Sequence, residues 1–314
     1  MEDNAAYVRR VHDQGLRFDR RRLLTMLGGA GAVAVLAACS DDTTPSASSS
    51  GRAEVASETA GPFPADGSNG PDVRTLDGIV RKDIRTSFGS SSGTAAGVPL
   101  GFSLVVQDRS GAAVTGAAVY AWHCDRDGNY SLYSTGVTDQ NYLRGIQVTD
   151  ATGTVSFTSI FPACYSGRWP HIHFEVYSSL AEATSGDGPI VKTSQIAIPE
   201  EAADAVYATS GYSRSVTNMT QVSLTTDNVF GDDSGVTELA TMSGSATAGY
   251  QATLTISIDP SGTETGGGLP GGGTPPSGVP GGGGPGGAGP GRGTPPSGGP
   301  GAMPGGPVPS STTS

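Results

Sequence analysis

The sequence predicts an all-β domain, a β-sandwich with long loops, set between two segments that do not fold. Three features point to it. Short runs rich in β-branched and aromatic residues recur through the middle of the chain, turn residues separate them, and a single stretch has helical character. Many short strands joined by turns build sandwiches or barrels.

Taken in order, the first strands are Leu100–Gln107 and Ala117–Trp122, separated by the turn residues Asp108-Arg109-Ser110-Gly111. Gly145–Thr149, the turn Asp150–Gly153, and Thr154–Ile160 are expected to form a hairpin. His171–Tyr177, Val191–Ile198 and Ala252–Ile258 continue the strand pattern, and Glu200–Ala208 is the one expected helix.

The ends of the chain differ in kind. Of 314 residues, 49 are Gly and 22 are Pro, and these concentrate after Pro260. Residues 261–314 carry almost no large apolar side chains and are expected to be disordered, since they cannot bury enough surface to offset backbone ordering. Residues 1–38 read as an export signal. Arg20-Arg21-Arg22 precede a short apolar run from Leu23 to Ala38, too short for a typical span of about 20 residues. The arginines followed by Leu23-Leu24 resemble a twin-arginine signal, and Leu36-Ala37-Ala38-Cys39 resembles a lipobox, which makes Cys39 the candidate for lipidation. Residues 39–53 would be a polar tether, and 54–260 the folded domain.

Charge excludes one class of partner. The chain carries −11, and removal of residues 1–38 would take six basic and four acidic residues with it and leave −13. With no basic patch, nucleic acid is not an expected partner. Membrane contact is expected only through Cys39, and the oligomeric state is open. Export would place Cys124 and Cys164 in an oxidising compartment, where two leftover cysteines are candidates to pair; two buried thiols are the alternative.

Four histidines exist, and His12 lies ahead of the arginines and apolar run of the expected export signal. His171 and His173 alternate along one strand, so both face the same way, about 7 Å apart along the chain. Two imidazoles on one face can grip a metal, although the spacing alone is a weak signal. The flanks carry more. Trp122…Gly128-Asn129-Tyr130 is followed by Thr149-Asp150…Gly153…Phe157, then Pro162…Tyr165, then Arg168-Trp169-Pro170-His171-Ile172-His173. In order and spacing this set resembles the intradiol ring-cleavage dioxygenases, the family of protocatechuate 3,4-dioxygenase and catechol 1,2-dioxygenase. The resemblance spans about residues 55–230, including Thr59-Ala60-Gly61-Pro62-Phe63.

That resemblance implies a sandwich of transthyretin-like topology and an iron(III) enzyme that opens catechol-type diols with O2 to muconate-type diacids. It implies Tyr130, Tyr165, His171 and His173 as the Fe(3+) ligands. Tyr165 matches the tyrosine that leaves the metal and helps take a proton. Arg168 matches an arginine that stabilises negative charge on the substrate ring, and Gln195 matches a glutamine beside the substrate. The chemistry agrees independently, because two phenolates and two imidazoles form a hard, anionic set suited to iron(III). A phenol titrates near pH ~10, so a bound cation must supply its ionisation.

Other residues have plainer expectations. His123 is expected to make a structural hydrogen bond, Trp122 to be core, and Asp125 and Asp127 to serve the turn before Tyr130. Tyr133 and Tyr142 are candidates to line a pocket. Glu175 shares the histidine face and would be the carboxylate of an alternative two-histidine, one-carboxylate iron(II) site. A non-catalytic sandwich module, of the kind that shares these turns without the metal residues, is the other alternative.

Overall fold

The chain is described by a computed structural model over residues 51–264. The segment expected to be an export signal, Cys39, most of the expected tether and most of the Gly/Pro-rich tail lie outside the described residues.

Eight strands form two four-stranded sheets. The strands are β1 (Pro99–Asp108), β2 (Ala118–Trp122), β3 (Arg144–Val148), β4 (Thr154–Ile160), β5 (His171–Tyr177), β6 (Ile190–Ala197), β7 (Thr241–Ser245) and β8 (Gly249–Ile258). One sheet runs β4-β1-β8-β7, with β1 and β8 parallel; the other runs β3-β2-β5-β6, antiparallel throughout. The expected all-β sandwich is therefore present.

The period of two in β1 and β8 explains the first sheet. Leu100, Phe102, Leu104 and Val106 point inward with Ala252, Leu254 and Ile256, while Ser103, Gln251, Thr253 and Thr255 lie on the outer face. Across the sandwich, Val119, Ala121, Ile172, Phe174, Val176 and Ile196 supply the facing layer.

The second sheet departs from that simple alternation, and the departure builds the site. Every residue of β5 is buried, including His171, His173 and Glu175 on the face turned away from the core. A second apolar cluster covers that outer face, assembled from Ala60, Ala65, Val73 and Ile79 over Tyr120, Trp122, Tyr130 and Tyr177. The segment before β1 thus acts as a strap. Val55 N–H bonds to Ser257 O, Glu58 N–H to Thr193 O, and the Gln195 side-chain amide to Thr59 O.

Two sequence expectations are corrected. β3 and β4 do not form a hairpin: β3 pairs with β2 and β4 with β1, so Asp150–Gly153 carries the chain from one sheet to the other. The turn chemistry is as expected, with Asp150 Oδ1 accepting the amides of Thr152 and Thr154. Side chains at a turn fix its tightness, not the sheet that receives the next strand. Besides α2 (Glu200–Tyr207), which matches the expected helix, there are α1 (Leu180–Thr184) and α3 (Ser213–Met219). Residues just outside 54–260 also make backbone bonds to the domain. Arg52 N–H bonds to Arg109 O, and Glu264 N–H bonds to Ile190 O while its carboxylate pairs with Lys192 at 2.7 Å.

Candidate metal centre

Three structural units bring four side chains together. β5 supplies His171 and His173. The loop between β2 and β3 supplies Tyr130: Asp125 Oδ1 accepts the amides of Asp127 and Asn129 and closes the turn ahead of it. Gly128 completes that turn at φ +87, and a Cβ there would meet Tyr165 Cβ at 3.2 Å, which explains a glycine two residues before Tyr130. The loop before β5 supplies Tyr165, and the helical segment clamps it. Ser215 Oγ accepts Cys164 N–H, Asn218 Nδ2 donates to Cys164 O, Tyr207 OH donates to Pro162 O and Tyr212 OH to Phe161 O.

The donor atoms converge on His171 Nε2. His173 Nε2 lies 3.1 Å from it, Tyr165 OH 3.2 Å, Arg168 Nη1 3.4 Å and Tyr130 OH 3.5 Å. His171 Nδ1 is 2.5 Å from Trp169 O, which can only accept, so the ring proton sits on Nδ1 and Nε2 presents its lone pair to the cluster. One imidazole lone pair cannot satisfy four polar neighbours. Atoms bound about 2.1 Å from a shared ion, at right to tetrahedral angles, stand about 3.0–3.4 Å apart. The observed separations and the residue types therefore fit a cation with Tyr130, Tyr165, His171 and His173 around it.

Electrostatics point the same way. Burial, followed by the positive charge of Arg168, holds both histidines well below their ordinary value, so both are neutral. Burial, followed by proximity to Tyr165, pushes the Tyr130 phenol well above its ordinary value. Burial raises Tyr165 to about 12, against the opposing pull of Arg168. The protein environment alone keeps both phenols protonated; their ionisation requires a cation at the cluster.

Neighbouring groups fix the donors. Trp122 stacks on His173, with ring centroids 5.0 Å apart and planes 2° from parallel. Phe63, from the strap, packs against Tyr130 at 5.1 Å. Gly61 sits at φ +70, and a Cβ there would come 3.3 Å from His173 Cε1, so only glycine lets the strap close over the imidazole. Arg144 donates to the carbonyls of Phe63, Pro64 and Ser131, tying strap to tyrosine loop. Arg168 Nη2 donates to Gln195 Oε1 at 2.6 Å, and Gln195 lies opposite His173 in the ladder.

The remaining sequence candidates fall elsewhere. His123 is buried, donating from Nδ1 to Cys124 O and accepting at Nε2 from Ser159 Oγ, the structural role expected of it. Glu175 is engaged by Tyr177 OH at 2.6 Å, and burial raises its carboxyl to about 8. Tyr133 packs on Phe63 and donates to Asn69 Oδ1, and Tyr142 OH donates to Asp125 Oδ2 at 3.3 Å. The candidate Cys124–Cys164 pair is corrected: both are buried free thiols, Cys124 Sγ donating to Ala163 O and Cys164 Sγ to Arg168 O. Neither Arg144 nor Asp227 was singled out by the sequence. Asp227 bonds Arg168 across 59 residues, and no local spacing signals such a partner.

A strand-borne histidine pair and two loop tyrosines thus lie together on the outer face of a sandwich sheet. Comparisons with known proteins bear on what such a site is. A family model described as Dioxygenase matches residues 70–181, which include Tyr130, Tyr165, Arg168, His171 and His173. Chlorocatechol 1,2-dioxygenase of Rhodococcus opacus is 44% identical over 64 residues, covering 20% of this chain and 25% of that protein. The chain thus spans about a quarter of the length of that curated relative. An intradiol ring-cleavage dioxygenase from Tetranychus urticae shares the fold, with a TM-score of 0.54 and 22% identity over 68% of this chain and 98% of that one. Over the residues matched, the chain is similar to the intradiol ring-cleavage dioxygenases.

Proposed function

We propose that the domain is a non-haem iron(III) intradiol dioxygenase that converts a catechol-type diol and O2 to a muconate-type diacid. The observation that carries this is the convergence of His173, Tyr165 and Tyr130 on His171 Nε2 within 3.5 Å. Tyr130, Tyr165, His171 and His173 would hold the ion. When bound there, iron(III) supplies the Lewis acidity that draws electron density from a chelated diol and opens its ring to O2.

The chain's own groups divide the remaining work. His171 and His173 stay neutral and hold position, His173 braced by Trp122. Tyr165 is the proton acceptor: as a phenolate it takes the proton of one diol hydroxyl at its phenol oxygen and becomes neutral, the form its buried environment favours. Tyr130 stays in place, packed against Phe63. Arg168 presents Nη1 beside the cluster, where a guanidinium stabilises negative charge building on the ring in a site that excludes water. Gln195 holds the other end of that guanidinium. Phe63, Phe230 and the strap provide the apolar surroundings in which these charges act strongly.

Oxygen uptake over a panel of diols, with each product identified, tests this. Uptake with a product cleaved between the two hydroxyl-bearing carbons supports it. A product cleaved outside the diol, or no uptake by iron-loaded protein, contradicts it.

The address is inferred from the sequence alone: an exported protein anchored through a lipid on Cys39. Membrane-bound protein that Cys39→Ser releases would support it, and unchanged fractionation would contradict it.

A further inference from the structure

We propose that Asp227 is a positioning residue for Arg168, setting which edge of its guanidinium faces the four-donor cluster and, through it, the turnover of the diol. The inference rests on the dioxygenase assignment above.

Asp227 is the fixed partner. Its side chain is 0% exposed, and Arg168 beside it is 11% exposed. A buried carboxylate persists only when its lone pairs are filled. Asp227 Oδ1 accepts the amides of Val229 at 2.8 Å and Phe230 at 3.0 Å, and Oδ2 accepts Trp169 N–H at 2.6 Å. Three backbone donors hold the carboxylate wherever Arg168 lies. Oδ2 also accepts Arg168 Nε–H at 2.9 Å.

That bond selects an orientation. A guanidinium is planar, with its five N–H groups in a fixed fork. With Nε on Asp227 and Nη2 on Gln195, the plane is determined, and Nη1 is the edge left facing His171 Nε2. Phe230, whose amide Asp227 also holds, lies under the guanidinium at 5.7 Å and packs on His171 at 6.4 Å. Asp227 therefore links the floor beneath Arg168, the backbone two residues before His171, and the arginine itself. It also compensates a cation beside a cluster built to receive another cation.

Asp227→Asn is the informative change. An amide directs its NH2 group at Arg168 Nε–H and Trp169 N–H if its oxygen keeps Val229 and Phe230, so donor meets donor and Arg168 is released. Kinetics of the full chain are measured for the parent, Asp227→Asn, Arg168→Ala and the double variant. In the parent background, Asp227→Asn is expected to lower kcat about a hundredfold, with KM changed less than about threefold and the visible band kept. In the Arg168→Ala background the same change is expected to cost less than about twofold, since its target is gone. An equal loss in both backgrounds would show a merely structural role and overturn the proposal.

A second readout does not depend on catalysis. The Arg168 Nε–H resonance of the iron-free chain, assigned by its loss in Arg168→Ala, is expected to exchange slowly and to disappear in Asp227→Asn. Its persistence in that variant would overturn the proposal. If Asp227→Asn does not fold, Asp227→Glu takes its place in the cycle, with a partial kcat loss expected only where Arg168 is present. If the parent cleaves no diol, the dioxygenase assignment fails by itself, and the resonance still decides for or against Asp227.

Discussion

His171 Nε2 and His173 Nε2 stand 3.1 Å apart, and the bond from His171 Nδ1 to Trp169 O commits the first of them to a lone pair. Two imidazoles so close, both neutral and both buried, are the half of the proposed chelate that β5 supplies. Removing a member of the set should dismantle it. His173→Ala and Tyr130→Phe are each expected to lower iron affinity by at least about a hundredfold, beyond what loss of an outer-shell partner costs. Metal analysis after dialysis, with absorbance in the visible, checks this; full iron content in either variant would contradict it.

Arg168 touches the cluster without belonging to the ligand set. Arg168→Ala is expected to keep iron and colour while kcat falls by about 10²–10³, the usual loss when one charge-stabilising donor is removed. Unchanged turnover would remove it from the reaction.

Gly61 is where the strap meets His173. Gly61→Ala forces an L side chain into a left-handed backbone, at about 1–2 kcal/mol, and brings its Cβ to 3.3 Å from His173 Cε1. The melting temperature is expected to fall by a few degrees. Iron affinity should fall with it, because the neighbour that must yield is a proposed ligand. A loss of stability with unchanged iron affinity would show that the strap does not bear on the site.

His123 gives the fold a pH limit. Burial lowers it to about 4 from an ordinary 6.5, so between those values the unfolded chain binds a proton that the folded chain does not. Its contribution is complete above pH 6.5 and is lost as pH falls toward 4, by about 3 kcal/mol in total. Iron-free parent protein should therefore lose about that much more stability between pH 7 and pH 4 than His123→Gln. Equal losses would mean that His123 is not held neutral.

Much of this was legible in the sequence, for identifiable reasons. β1, β5 and β8 announced themselves by alternation or β-branched content, and the four ligand candidates came from the resemblance that the motifs in one stretch of chain carry. β7 (Thr241–Ser245) was not found, because its mostly exposed Thr-Met-Ser-Gly-Ser carries no apolar stripe. The false β3–β4 hairpin arose because a tight turn looks the same whether it stays in a sheet or crosses between two. The strap was invisible as structure, since its bonds to Thr193, Ser257 and Gln195 span more than 130 residues. For the same reason Asp227 carried no signal: what distinguishes it from any loop aspartate is where residue 168 lies in space.

Absorption and iron stoichiometry of the full chain loaded with iron(III) bear most directly on the four-donor centre. One iron per chain is expected, with a visible tyrosinate-to-iron band that weakens in Tyr165→Phe and vanishes in Tyr130→Phe together with Tyr165→Phe. A colourless protein that binds iron equally well with both phenols removed would contradict it.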